Sequence, residues 1–109
     1  MTDCIFCQIA AKKLSAKIEY EDQEIIAFDD IAPKAPIHIL IIPKKHLESV
    51  NHLKAVDSKL VGKLVLAAQK IAKEKKIDRS GYRLVFNTGP DSGQIVPHLH
   101  LHLLGGGKL

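Results

Sequence analysis

The sequence predicts an α+β fold: an antiparallel sheet with helices packed on one side. Three observations carry the prediction. Five short segments have the apolar, β-branched character of strands, and most follow one another with no helix between them. One long segment, residues 57–76, has helical periodicity. Clusters of Gly, Pro, Asp and Ser separate these segments where the chain must turn.

Residues 4–13 read as a short helix with Ile5, Phe6 and Ile9 on its apolar face. Lys17–Glu21 and Glu24–Phe28 read as two strands joined by a tight turn at Asp22-Gln23. Asp29–Pro36, with two prolines and two aspartates, reads as a loop. Ile37–Ile42 is an apolar run broken only by His38, as expected of a strand buried on both faces and ended by Pro43. A short helical turn is expected within 46–53, where His52 reads as a surface residue. Asp57 or Ser58 then caps a long helix reaching Lys76. Its core stripe is Leu60, Val61, Leu64, Val65, Ala68, Ile71 and Ala72. Lys59, Lys63, Lys70 and Lys73 lie on the opposite face. Tyr82–Asn87 is a fourth strand, Thr88–Gly93 a turn cluster, and Ile95–Leu104 a last strand stopped by Gly105-Gly106-Gly107.

The 109 residues suit one domain, and 46% apolar with 26% charged residues is ordinary for a soluble globule. No apolar stretch approaches membrane-spanning length, and Met1-Thr2-Asp3-Cys4 lacks the pattern of a signal peptide, so a cytoplasmic protein without membrane contact is expected. The net charge of +4 is spread over scattered lysines with no stacking aromatics among them, which argues against a nucleic-acid partner. The two cysteines, Cys4 and Cys7, are spaced C-x-x-C. In a cytosolic chain that spacing suggests metal or redox chemistry more than a structural disulfide. No βαβ pattern surrounds the pair, so a thioredoxin-like role is not expected.

The segment His98-Leu99-His100-Leu101-His102 carries the strongest chemical signal. Alternation along a strand places the three histidines on one face, with imidazoles roughly 6.5–7 Å apart, and Leu99, Leu101 and Leu103 on the other. The leucines would anchor the strand in the core, and the histidine face would be open to a ligand. Aligned imidazoles can divide the roles of nucleophile, proton donor and ligand. They can also chelate zinc, so a three-histidine metal site stands as a rival.

His98-Leu99-His100-Leu101-His102-Leu103-Leu104 resembles the signature of the histidine-triad (HIT) family, in which three histidines alternate with apolar residues. Asn87 through Gly93-Gln94, Cys4-Ile5-Phe6-Cys7, Phe28-Asp29-Asp30-Ile31-Ala32-Pro33, Ala35-Pro36-Ile37-His38 and Pro43-Lys44-Lys45-His46 resemble family segments in family order. The similarity is greatest to the HINT branch, because Gly105-Gly106 follows the triad where the dinucleoside-polyphosphate hydrolase branch more often has Pro-Arg.

The resemblance implies a five-stranded antiparallel sheet with one long and one or two short helices, in a homodimer whose sheets join. It implies hydrolysis of purine nucleoside phosphoramidates to a nucleoside monophosphate and an amine. His100 would be the nucleophile, forming a nucleotidyl-histidine intermediate. His102 would contact the α-phosphate and assist proton transfer, and His38 would support both. Asn87 and the backbone around Gly93 and Gln94 would hold phosphate oxygens. Asp30 would bind the ribose hydroxyls, and Ile5, Phe6, Ile9, Phe28 and Ile31 would surround the base. Zinc-bearing relatives use histidines matching His46 and His98, which with Cys4 and Cys7 make a closed and therefore structural Cys₂His₂ site. The alternative for the cysteines is a pair of free buried thiols.

Two departures bear on selectivity. Ile95 follows Gln94 where family members often have Ser or Thr, and the sequence stops at Leu109, short of the tail some relatives carry. The other functional readings are a dinucleoside polyphosphate hydrolase and a nucleotide-binding or interaction module with little turnover.

Overall fold

The computed structural model describes residues 4–109. The first three residues, on which the absence of a signal peptide was partly read, lie outside it. The elements follow in the order α1 (Ile5–Ala10), β1 (Ile18–Glu21), β2 (Ile25–Asp29), β3 (Ile37–Pro43), two 3₁₀ turns (Val50–His52 and Ala55–Asp57), α2 (Ser58–Glu74), β4 (Tyr82–Phe86), a 3₁₀ turn (Pro90–Ser92) and β5 (Leu101–Gly105). One five-stranded sheet has the order β1-β2-β3-β5-β4, and every neighbouring pair is antiparallel. The expected α+β class holds.

The β1–β2 connection takes in Glu24 as well as Asp22 and Gln23. Asp22 Oδ1 accepts the N–H groups of Glu24 (2.8 Å) and Ile25 (2.9 Å), a side-chain mimic of a turn. At the start of α2, Asp57 stands in the capping position, but its carboxylate serves the preceding turn. It accepts the Lys54 N–H (2.9 Å) and Lys45 Nζ (3.0 Å), and no helix N–H. The helix ends at Glu74, because Lys76 adopts a left-handed φ of 60°. Its buried stripe is Leu60, Leu64, Ala67, Ala68, Ile71 and Ala72. Val65, expected inside, is 41% exposed, and Ala67 takes its place in the contact.

Helices cover both faces of the sheet rather than one. On the α2 face, Ile25, Ala27, Ile39 and Ile41 pack with Leu99, Leu101 and Leu103 against Leu64, Ala68 and Ile71. On the other face, Phe6 and Ile9 of α1 pack on Ile26, Phe28, Leu40 and Ile42. Alternation along β3, buried except for the partly exposed Ile37, explains the division: odd positions feed the first core, even positions the second. His38 therefore lies on the α1 face, with Leu40 and Ile42.

The last strand is shorter than expected, Leu101–Gly105 instead of 95–104, so only His102 of the three histidines is in it. Leu101 pairs with Ile41 of β3 and Phe86 of β4. Upstream, Pro43 and Pro97 have no N–H to give to a ladder, and Leu99 instead donates to the Leu47 carbonyl (2.6 Å). The division of faces survives outside the strand, since the three leucines are all buried on the α2 side.

Candidate active site

The α1 face of the sheet carries a cavity of about 430 Å³, a size suited to a small-molecule ligand. Phe6 and Ile9 of α1 and Phe28 of β2 form buried apolar walls, and His100 and His102 reach it from the β5 side. The rings of Phe6 and Phe28 meet edge to face at 5.4 Å, and Phe6 presents itself likewise to the His100 ring at 5.1 Å. A rigid aromatic contact thus sets the plane of one imidazole.

The expected face of three evenly spaced, ligand-facing imidazoles is corrected. The His100 and His102 ring centroids are 4.8 Å apart, since the rings lean together. His98 is fully buried and does not line the cavity. It turns toward the cysteines, so the three-histidine metal site is not formed.

Hydrogen bonds assign a role to each ring nitrogen, because a carbonyl can only accept and a backbone N–H can only donate. His100 Nδ1 lies 2.6 Å from the His98 carbonyl, so it carries the proton and Nε2 keeps its lone pair. The Lys34 N–H donates to His38 Nδ1 (3.1 Å), so the His38 proton sits on Nε2. From there it is donated to His102 Nδ1 (2.9 Å), with Asp30 Oδ2 at 3.4 Å from the same nitrogen. His102 must then carry its proton on Nε2. That atom is buried and has no hydrogen-bond partner among the described residues. A buried donor without a partner is costly unless a ligand satisfies it. The site therefore offers a bare imidazole lone pair on His100 and an unused N–H on His102, side by side.

Burial pushes the pKa of His38, His100 and His102 below the usual histidine value. His102 falls farthest, to about 4, with the neighbouring His100 and His38 adding to the effect of burial. All three rings are neutral at pH 7, as a lone-pair nucleophile requires. The same shift has a consequence for stability. The unfolded chain takes up its proton near pH 6.5, while folded His102 resists until about pH 4. The stabilisation is complete above pH 6.5 and is lost as pH falls toward 4. We expect Tm to decline between pH 6.5 and 5, above the range of ordinary carboxylates. His102→Asn should reduce that slope by about one proton. Thermal melts across the range check this, and an equal slope in the variant contradicts it.

A second cluster lies beside the cavity. Cys4, Cys7, His46 and His98 place their ligand atoms within 4.8 Å of one another. His98 donates from Nε2 to the Pro43 carbonyl (2.8 Å), which leaves Nδ1 as a lone pair facing the sulfurs of Cys4 (3.4 Å) and Cys7 (3.6 Å). His46 Nδ1 lies 3.2 Å from Cys7 Sγ. Tetrahedral zinc, with bonds of about 2.3 Å to sulfur and 2.0 Å to nitrogen, holds such atoms roughly 3.5 Å apart. The donor set and its spacing fit that metal.

Residues 3–107 match the family model described as scavenger mRNA decapping enzyme C-term binding. Protein HitA of Neisseria gonorrhoeae is 45% identical over 105 residues, covering 96% of this chain and 97% of that one. Among solved structures, a HIT family hydrolase from Legionella pneumophila superposes with a TM-score of 0.96 at 46% identity, over 97% of this chain and 95% of the other. A histidine triad protein from Clostridium difficile gives 0.97 at 44%, over 100% and 95%. The chain belongs to the histidine-triad family.

In this histidine-triad chain the expected site residues mostly converge. Asp30, His38, Asn87, Gly93, His100 and His102 line the cavity together with the apolar residues assigned to the base. Ile5 and Ile31 stand at its rim, 46% and 98% exposed. Gln94 is a correction. It does not line the cavity, and its side chain is fully committed: Oε1 accepts the Gly89 N–H (2.8 Å), and Nε2 donates to the carbonyls of Glu48 (2.8 Å) and Val96 (3.1 Å). The backbone donors expected to hold phosphate are also spent. Gly93 N–H closes on the Pro90 carbonyl (3.0 Å) and Gln94 N–H on that of Gly89 (3.3 Å). The next N–H along, of Ile95, makes no hydrogen bond among the described residues. Sequence reading missed this donor, and it missed the Lys34 N–H that sets the histidine tautomers. Backbone groups leave no residue-type signal.

Proposed function

We propose that the chain is a cytoplasmic purine nucleoside phosphoramidase, which hydrolyses nucleoside 5′-phosphoramidates to a nucleoside monophosphate and an amine. The observation that carries this reading is the pair of complementary imidazoles lining one cavity, with His100 Nε2 a free lone pair and His102 Nε2–H an unused donor. The solved relative named as a hydrolase, nearly identical in backbone, supports hydrolysis.

The purine lies between Phe6, Ile9 and Phe28, with Asp30 at the ribose and Asn87 and the Ile95 N–H at phosphate oxygens. His100 Nε2 attacks the α-phosphorus, and the phosphorus–nitrogen bond breaks. The departing nitrogen takes a proton from His102 and leaves as a neutral amine. His102 is neutral and weakly basic in the empty site; the bound phosphate anion raises its basicity, so the substrate complex carries an additional ring proton, and giving that one up returns His102 to its neutral form. Water then attacks the nucleotidyl-His100, gives a proton to His102 and releases the monophosphate. The His98 carbonyl holds Nδ1–H throughout, which favours the cationic, easily displaced phosphohistidine.

AMP release from adenosine 5′-phosphoramidate, measured beside diadenosine polyphosphate, tests the reading. Faster release from the phosphoramidate is expected. A preference for the dinucleotide would make the chain a dinucleoside polyphosphate hydrolase, and binding without turnover of either would make it a nucleotide-binding module.

Zinc in the Cys4, Cys7, His46 and His98 cluster belongs to this proposal as a structural ion, since four ligands leave no open position. The two unpaired cysteines suit a reducing compartment. A homodimer belongs to it as well. Strand β4 is an edge, with Leu84, Val85 and Phe86 only partly buried, and Leu66 of α2 is 62% exposed. Sedimentation at twice the chain mass is the expected result, and a monomer at micromolar concentration contradicts it.

A further inference from the structure

Besides the catalytic cavity, the molecule has an open cleft of about 730 Å³, where the chain leaving α2 meets the chain leaving β5. The two share no lining residue, and the hydrolysis proposed above makes no use of the cleft. Its size is that of a small-molecule site. Pro36, Ile37 and Ile77 supply apolar surface. The other lining residues bring cations and hydrogen-bond donors, and no Asp or Glu is among them.

The glycines that end β5 shape one wall. A Cβ on Gly105 would lie 2.8 Å from Ile77 Cδ1, and one on Gly106 would lie 3.2 Å from Pro36 Cβ. Glycine lets the backbone pass this close. Gly106 also takes a left-handed φ of 83° between two glycines of negative φ. Alternation of this kind turns successive N–H groups toward a common point, which is how bare backbone binds anions. The N–H groups of Gly106, Gly107 and Lys108 make no hydrogen bond among the described residues. On the opposite wall, the end of α2 exposes no bare negative pole, since the N–H groups of Lys75, Lys76 and Ile77 close on the carbonyls of Ile71, Lys73 and Ala72. Lys75 is paired with Glu19 (2.9 Å), whereas Lys76 and Lys108 have no ion-pair partner among the described residues. The surroundings strengthen the field. Lysines occur along the whole chain, but residues 70–83 hold six basic and two acidic side chains, an excess equal to the formal net charge of +4.

We propose that this cleft is a binding site for a small diphosphate-type anion, separate from the active site. One free lysine on each wall suits an anion with two charged centres better than a single tetrahedral ion, because each ammonium acts as a point charge on its own phosphate. The unpaired N–H groups and the Ser80 hydroxyl supply further donors to its oxygens. A single-stranded nucleic acid would call for stacking aromatics, and none lines the cleft.

The test is a titration of the full chain with inorganic pyrophosphate, followed by amide NMR, with sulfate in parallel. The resonances of Gly106, Gly107 and Lys108 should move together and saturate, with pyrophosphate bound about tenfold tighter than sulfate. Lys76→Gln combined with Lys108→Gln should weaken pyrophosphate binding about tenfold or more, as expected for loss of two charge-assisted contacts. Lys13→Gln combined with Lys59→Gln removes the same charge elsewhere and should change affinity by no more than about twofold. AMP release without pyrophosphate should be unchanged in both double variants, and an unchanged Tm verifies their folding. Movement confined to Asn87, Gly93 and His100 would place the anion in the catalytic cavity alone and overturn the inference. Equal affinity for sulfate and pyrophosphate, or equal weakening by the two double variants, overturns it as well, leaving an adventitious ion only. No readout of binding depends on hydrolysis, so failure here leaves the phosphoramidase reading untouched.

Discussion

His100→Ala is expected to lower AMP release by about 10⁴-fold or more while nucleotide binding stays within about tenfold of wild type. Loss of a covalent nucleophile removes the reaction path itself, which is why such variants fall so far. Binding survives because the walls made by Phe6, Ile9 and Phe28 and the polar groups of Asp30 and Asn87 are untouched. His100→Asn separates chemistry from packing. Its amide can still donate to the His98 carbonyl that now accepts from Nδ1, yet it supplies no nucleophile. Both variants should be equally inactive. Rapid quenching of wild type with substrate should trap a nucleotidyl adduct on the peptide containing residues 98–102, and neither variant should form one. A residual rate within tenfold of wild type, or an adduct that persists in His100→Asn, would remove His100 from the role of nucleophile.

The parts of the structure that the sequence made legible are those governed by side-chain periodicity. The leucines at 99, 101 and 103 went to the α2 core because a two-residue repeat leaves them no other face. The helical stripe of α2 was right in its axis and wrong by a small rotation, with Ala67 inside and Val65 out. Both are apolar, and hydropathy alone does not decide between them. The C-x-x-C pair and two distant histidines do converge, although residues 7 and 98 are far apart in sequence.

The parts that were not legible depend on backbone hydrogen bonds. The short β5 follows from two prolines that cannot donate and from a Leu99 N–H that found Leu47. Gln94 read as a substrate contact because the family resemblance puts the backbone around Gly93 and Gln94 at the phosphate oxygens. Its three hydrogen bonds instead brace the loop that presents Gly93 and Ile95. The open histidine face was an inference from strand alternation. It overlooked α1, which packs over that face and presses Phe6 against His98 and His100. The protonation pattern of the site comes from one N–H at Lys34 and one carbonyl at His98, groups that every residue has.

Removal of the cysteine and histidine cluster from metal is the second large effect expected, this time on stability. Purified protein should carry about one zinc per chain, and Cys7→Ser should carry almost none. A ligand that binds only the folded state at a thousand times its Kd stabilises by about 4 kcal/mol. For a chain of this size that corresponds to a fall in Tm of roughly 15 °C. Wild type stripped by chelator should melt at the same lowered temperature and recover when zinc is returned. The expected fall is large because the cluster joins three separate parts of the chain: Cys4 and Cys7 at α1, His46 after β3, and His98 before β5. None of the four residues lines the cavity, so an ion held there would have no direct access to substrate. Its influence on the chemistry runs through His98, whose ring would bind the metal and whose carbonyl holds His100 Nδ1. Metal loss should therefore reduce kcat moderately at temperatures where the stripped protein is still folded, far less than His100→Ala does. A wild-type protein that contains no zinc and melts identically with and without chelator would leave the cluster as two free thiols beside two histidines.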